Sequence, residues 1–232
     1  FRFWFPVIII VCLIFPSNLS TAGILFSTVL IISFIAGYSL RYLLNIIFGA
    51  SVMVIIFFLL IKVYPNAFPN RVDTWVNRIE NFKTGKSKDN NYQVARAKTA
   101  IVSGKIFGLG AGKSRMKNFL PQSSSDFIYA IIVEEFGLVG GIMLILIYLL
   151  LLYRIVVISY KATSVFGKLT VIGLGIPIIF QAFINIGVSL QVLPVTGQNL
   201  PMISSGGTSA WMTCIAMGMI LSVSANNEIL DE

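Results

Sequence analysis

The sequence predicts an all-α integral membrane protein, a polytopic helical bundle with one long extracytoplasmic loop. Three observations predict it. Of 232 residues 56% are hydrophobic and only 11% are charged, where a soluble domain carries about 25% charge. The mean hydropathy is +0.88. The apolar residues also gather in long runs, and the ~30 Å core of a bilayer is crossed by about 20 such residues in a helix. Only a helix closes every backbone hydrogen bond within its own segment.

Taken in order, 3–40 is free of charge but is interrupted by Pro16-Ser17-Asn18-Leu19-Ser20, turn and cap residues that separate a short first span from a second. Leu43 to Ile61, between Arg41 and Lys62, is the third. Phe127 to Tyr153, Leu169 to Leu190 and Ser205 to Ser224 complete six. The chain therefore divides into three membrane helices (1–62), an extracytoplasmic loop (63–126), three more membrane helices (127–224) and a cytoplasmic tail (225–232). Arg2, Arg41 and the group Arg154, Lys161 and Lys168 fall on alternate turns, which places that side in the cytoplasm. The chain begins at Phe1 with no signal peptide and reads as a fragment starting mid-protein.

The loop carries eleven of the seventeen basic residues, a surplus that long loops tolerate outside. Trp75, Ile79 and Phe82 recur at helical spacing, which fits an amphipathic helix at the interface, either as a surface anchor or as a substrate contact. Lys83 to Asn91 reads as a polar hairpin tip. Tyr92 to Ser103 is helical again, with Tyr92, Ala95, Thr99 and Val102 on one face. Gly104, Gly108, Gly110 and Gly112 then lead into Lys113-Ser114-Arg115-Met116-Lys117. This end imitates a nucleotide-binding P-loop, but Phe107 stands where that motif needs glycine. Glycines that bare backbone N–H groups, with three cations in five residues, suit a phosphate or pyrophosphate. A flexible loop meeting anionic headgroups is an equal reading.

Asp126 stands directly before the fourth span, where a helix N-cap is expected, and a cap can also act as a base. Glu134 and Glu135 follow about 12 Å along the helix. Carboxylates at that depth face an interior or a wet cavity. Neighbours on a helix diverge by about 100°, so one should bond within the protein and the other face the cavity. With no histidine, imidazole-based nucleophile systems and metal sites are excluded. Cys12 and Cys214 are too far apart for a paired motif and read as small buried apolar residues.

Two stretches resemble one family. Phe119-Leu120-Pro121, Ser125-Asp126-Phe127-Ile128-Tyr129-Ala130 and Glu134-Glu135-Phe136-Gly137-Leu138-Val139-Gly140 are similar to the "LPE…TDFIFA…EELGLVG" signature of the SEDS family (FtsW, RodA and SpoVE). Residues 193–209 resemble its "LPxTGxxLPLxSYGGSS". The resemblance covers essentially the whole chain, as the last six of ten helices, and 112–117 looks more like the FtsW branch. There are departures: Asn18 replaces an aspartate, Gln122 a glutamate and Ser205 a tyrosine.

The resemblance implies a peptidoglycan glycosyltransferase of the bacterial cytoplasmic membrane that polymerises lipid II on the outer face during septal wall synthesis. Asp126 would be its catalytic base, with Lys113, Arg115 and Lys117 beside the leaving pyrophosphate. Thr196, Gln198, Ser204, Ser205, Glu134 and Glu135 are further candidate substrate contacts; for Ser204 and Ser205 an N-cap and close helix packing is the competing reading. A class B penicillin-binding transpeptidase and other divisome membrane proteins are implied partners, and nucleic acid is not. No dedicated cofactor or metal cluster is visible, although the family implies dependence on Mg or Mn. Rival readings are a lipid II flippase, for which broken helices around midplane charges would be expected, an elongation polymerase like RodA, and a scaffold for a transpeptidase.

Overall fold

The computed structural model describes residues 3–63, 88–120 and 123–231. The expected amphipathic helix around Trp75 lies outside the described residues. The chain forms two compact units, Phe1–Asn77 and Arg78–Glu232. The loop is thus divided, and its second half belongs to the unit of the last three apolar helices.

In the first unit α1 (Trp4–Ile14) packs on α2 (Leu19–Ile35), and α3 (Leu40–Val63) follows. The Asn18 side chain accepts a hydrogen bond from the Thr21 N–H at 3.2 Å and caps α2. Asparagine caps as well as aspartate, so this departure from the family pattern keeps its local task. Phe15 meets Phe57 edge to face at 5.0 Å. Among the described residues four helical stretches are long and apolar enough to cross a membrane: Leu40–Leu60, Ile128–Lys161, Val165–Ser189 and Gly207–Asn226. α1 and α2, of 11 and 17 residues, measure about 16 and 25 Å at 1.5 Å per residue and fall short of the ~30 Å core. Cys12 and Cys214 are both exposed, which corrects the expectation that they are buried: each sits on the outward side of an apolar helix.

The second unit comprises α4 (Lys88–Gly104), a 3-10 turn (Met116–Asn118), α5 (Ile128–Lys161), α6 (Val165–Ser189) and α7 (Gly207–Asp231). α4 starts inside the stretch expected as a hairpin tip. Its docking face is the small-residue one, Ala97, Ala100 and Gly104, while Tyr92, Ala95, Thr99 and Val102 are exposed. Helix association in membranes depends on close packing rather than on apolarity, and these positions let α4 lie directly on α5. A Cβ on Gly104 would sit 1.9 Å from the Val133 carbonyl oxygen. Between α5 and α6, Gly175 likewise admits the Ile155 side chain. Ser164 caps α6 by accepting from the Gly167 N–H at 2.9 Å. α7 continues as a helix through the acidic tail to Asp231.

α5 is not the single uninterrupted helix that its composition suggests. Gly137 has φ 73° and ψ −172°, a conformation essentially confined to glycine. The Leu138 and Val139 N–H groups donate not to the preceding helical turn but to the carbonyls of Lys105 and Ile106, at 2.9 and 3.3 Å. The vacated carbonyls of Glu134 and Glu135 accept from the Leu109 and Gly110 N–H groups, both at 2.9 Å. The loop is hydrogen-bonded into the break, and the close approach needs glycine on both sides. A Cβ on Gly137 would meet the Ile106 oxygen at 2.2 Å, and one on Gly108 the Glu135 oxygen at 2.1 Å.

Candidate functional site

The site is built where three segments that are distant in sequence are tied together: the glycine-rich stretch 104–118, the entry to α5, and the loop 190–206 between α6 and α7. Glu134 organises the first. It is 0% exposed, and its carboxylate accepts from the hydroxyls of Ser103 at 3.3 Å and Ser114 at 2.5 Å. It also accepts from the backbone N–H groups of Arg115 at 3.1 Å and Met116 at 3.3 Å. The stretch that imitates a phosphate-binding loop does wrap an anion, and that anion is the protein's own glutamate. The N–H groups of Arg115 and Met116 are thereby engaged, and toward an external phosphate the stretch also presents side-chain charge. Lys113, Arg115 and Lys117 are exposed. Glu135, one residue on, is half-buried. Arg96 of α4 lies over the rings of Tyr92 and Phe119, at 5.0 and 5.7 Å, and secures the far end of the stretch.

From there the bonds lead to Asp126. The Ser123 hydroxyl donates to the Lys117 carbonyl at 3.0 Å. The Ser204 hydroxyl donates to the Ser125 carbonyl at 2.6 Å and accepts from the Leu200 N–H at 2.7 Å. Ser205 donates to the Ser124 carbonyl through its N–H at 2.9 Å and its hydroxyl at 3.0 Å. Ser204 and Ser205 therefore fasten the 190–206 loop to the residues leading into α5. Asp126 lies one position before the N-cap of α5, which is Phe127; the helix begins one residue later than expected. Its side chain is half-buried, and Oδ2 lies 3.6 Å from the point where a Cβ on Gly197 would be. The carboxylate of the first signature thus rests against the turn of the second.

Asn185, on the inner face of α6, was missed because attention to membrane-embedded charge passes over a neutral amide; polar residues inside a span were the available signal. It is 1% exposed, and its amide donates to the Asp126 carbonyl at 2.9 Å and to the Gln198 carbonyl at 2.7 Å. One side chain thus sets the spacing between the two signature segments. Among the described residues, Asn185 Oδ1, Ser189 Oγ and Thr196 Oγ1 are buried without a hydrogen-bond partner. Gln198 is buried. Tyr148 of α5 donates to the Pro201 carbonyl at 2.5 Å, which holds the far end of the same loop.

No group of three or more histidine, cysteine, aspartate or glutamate residues gathers among the described residues, and the Glu134 oxygens are engaged by the loop. Among the described residues, therefore, no cage for a resident divalent cation is assembled.

Comparison with known proteins gives the chain's relatives. Residues 2–229 match the family model FTSW_RODA_SPOVE, described as "Cell cycle protein". A probable peptidoglycan glycosyltransferase FtsW of Nitrosococcus halophilus is 33% identical over 217 residues, 91% of this chain and 53% of that protein. The stage V sporulation protein E of Bacillus subtilis is 40% identical over 134 residues, 57% of this chain and 37% of that one. The chain spans about half the length of the curated relatives that it matches over most of its own length. Among solved structures, a chain from a peptidoglycan synthase complex, described as coordinating polymerization and crosslinking, superposes with a TM-score of 0.71. It is 24% identical and covers 95% of this chain and 60% of its own. The rod shape determining protein RodA of Thermus thermophilus gives a TM-score of 0.60 at 23% identity, covering 94% and 54% respectively.

Proposed function

The chain belongs to the FtsW/RodA/SpoVE family of cell cycle proteins, and from that premise we propose that it carries the catalytic part of a peptidoglycan glycosyltransferase that polymerises lipid II. It is an integral membrane protein, and the organisms of its curated relatives are bacteria. The observation that carries the reading is the seating of Asp126 against the Gly197 turn, at the entry to a long apolar helix that is joined through the Ser123–Lys117 hydrogen bond to a stretch bearing three exposed cations.

In the reaction, an acceptor sugar hydroxyl attacks the anomeric carbon of a lipid-linked donor, the bond from that carbon to the pyrophosphate oxygen breaks, and the hydroxyl proton passes to Asp126. One positioned carboxylate suffices as general base. Pyrophosphate leaves as a stable anion, so the second carboxylic acid of a glycosidase is not required. Countercharge is required, and Lys113, Arg115 and Lys117 supply it. The active face is extracytoplasmic, a class B penicillin-binding transpeptidase is the partner, and the likeness of 112–117 to the FtsW branch favours septal use.

The break in α5 is the feature a lipid II flippase would be expected to show. All four backbone groups released at Gly137 are bonded to the 105–110 stretch, which leaves them nothing to offer a transported ion or headgroup, and the polymerase reading is preferred. The test is glycan-strand formation from lipid II by the full-length protein with its transpeptidase. Asp126→Asn should abolish polymer while the protein keeps wild-type thermal stability. Undiminished polymer would remove Asp126 from the mechanism. Polymer and cell growth both indifferent to the substitution would favour a scaffold.

A further inference from the structure

We propose that the stretch 102–109, which its place in the sequence assigns to an extracytoplasmic loop, is a re-entrant element whose Val102, Ile106 and Phe107 side chains rest among the acyl chains of the bilayer. Three facts fix its depth. From Phe136 to Tyr153 α5 carries no charge, between Glu135 and Arg154. These 18 positions measure about 27 Å and must coincide with the ~30 Å hydrocarbon core. Leu138, Val139, Ile142 and Met143, in the outer half of that interval, are exposed apolar residues. The Lys105 and Ile106 carbonyls accept from the N–H groups of Leu138 and Val139, so the backbone at 105–106 lies level with the first residues inside the core.

Non-helical backbone is tolerated at that depth only when its polar groups are bonded within the protein. The reciprocal pairing across Gly137 does this, with Leu109 and Gly110 donating to Glu134 and Glu135. The side chains agree with the backbone. Phe107 is 83% exposed, Val102 74% and Ile106 58%, and the backbone that carries Ile106 is bonded to that of the exposed Leu138 and Val139 of α5. Within 99–112 the only charge is Lys105, whose long stem lets the ammonium reach the headgroups. α4 thus descends toward the membrane with its cations, Lys88, Arg96 and Lys98, all ahead of the charge-free residues 99–104. The chain turns at Lys105, where φ is +49°, and returns to the surface at Lys113.

The test places a nitroxide at Phe107→Cys in a Cys12→Ser, Cys214→Ser background of the full chain in phospholipid nanodiscs. Collision with oxygen, which concentrates in the bilayer, is compared with collision with a water-soluble nickel chelate. The ratio at Phe107 should match that of a label at Leu138→Cys and exceed that at Lys113→Cys several-fold. A ratio equal to the Lys113 value overturns the proposal in favour of a solvated loop. Protection from both reagents overturns it in favour of a protein partner. Because the substitutions can impair folding, the wild-type chain is also photolabelled by a diazirine carried on a phospholipid acyl chain. The peptide containing Ile106 and Phe107 should be modified as heavily as that containing Ile142 and Met143, and an unmodified peptide overturns the proposal.

Discussion

Replacing Glu134 by alanine should release the glycine-rich stretch from α5, and the size of the effect follows from which donors lose their partner. Of the four groups bonded to the carboxylate, the Ser103 hydroxyl also donates to the Ala100 carbonyl at 2.8 Å, and Ser114 Oγ also accepts from the Lys117 N–H at 3.1 Å. The N–H groups of Arg115 and Met116 are left without an acceptor, and so is the Ser114 hydroxyl proton, which can turn to water. Hydrogen bonds to a charged group are worth about 1.5–3 kcal/mol each. Residues 114–116 are partly exposed, and water entering the vacated space recovers part of this, leaving a loss of about 2–4 kcal/mol. At 1.4 kcal/mol per factor of ten, the undocked population rises about thirtyfold to several-hundredfold.

Trypsin reads this directly, because Lys113, Arg115 and Lys117 are exposed cleavage sites on the stretch itself. When opening is fast relative to cleavage, the cleavage rate follows the open population. Glu134→Ala should therefore be cut after these residues faster by that factor, and added formate should restore protection by occupying the vacated carboxylate position. Glu134→Gln keeps one carbonyl for the two N–H groups and can turn its amide toward Ser114, so it should fall between wild type and alanine. Cleavage of Glu134→Ala at the wild-type rate, with no response to formate, would show that the carboxylate does not hold the stretch.

Gly137→Ala places a methyl group 2.2 Å from the Ile106 oxygen at a positive φ, so it should raise trypsin cleavage of the same stretch and lower thermal stability by about 2–4 kcal/mol. Asn185→Ala leaves the carbonyls of Asp126 and Gln198 without their donor; a loss of about 1–3 kcal/mol in their placement should appear as a roughly tenfold or greater fall in kcat with KM little changed, whereas a purely structural role would lower Tm and leave the kcat of the surviving fold intact. Tyr148→Phe removes the bond to the Pro201 carbonyl and should cost about 0.6–2 kcal/mol of stability in detergent, measured by thermal unfolding.

The membrane class and the positions of the longer spans were legible because hydropathy summed over twenty residues is a large signal. Asp126 stands out through its place in a signature, and the fold seats it against Gly197 of the second signature. What the residue pattern hid was the docking of the loop. Glu134-Glu135-Phe136-Gly137 reads as part of one apolar helix, because a single glycine inside such a run is ordinary and its φ is set by a partner segment thirty residues away. The docking face of α4 was hidden for a related reason: Ala97, Ala100 and Gly104 allow close approach by being small, and a search for large apolar residues selects the opposite side. Asn185 escaped because its contribution lies in two backbone carbonyls on other segments.

The exchange of hydrogen bonds at Gly137 governs how relatives can be recombined. A chimera that takes the fourth apolar span from one parent and the preceding loop from another would pair a broken rung with a strand never fitted to it. Crossovers should instead fall before residue 88 and after residue 141, so that 88–141 is inherited as one cassette. The same coupling bears on biosynthesis: the two rungs open at Gly137 are closed only by residues 105–110, a segment synthesised before α5, so the hydrogen bonding of this span is not complete within the span itself.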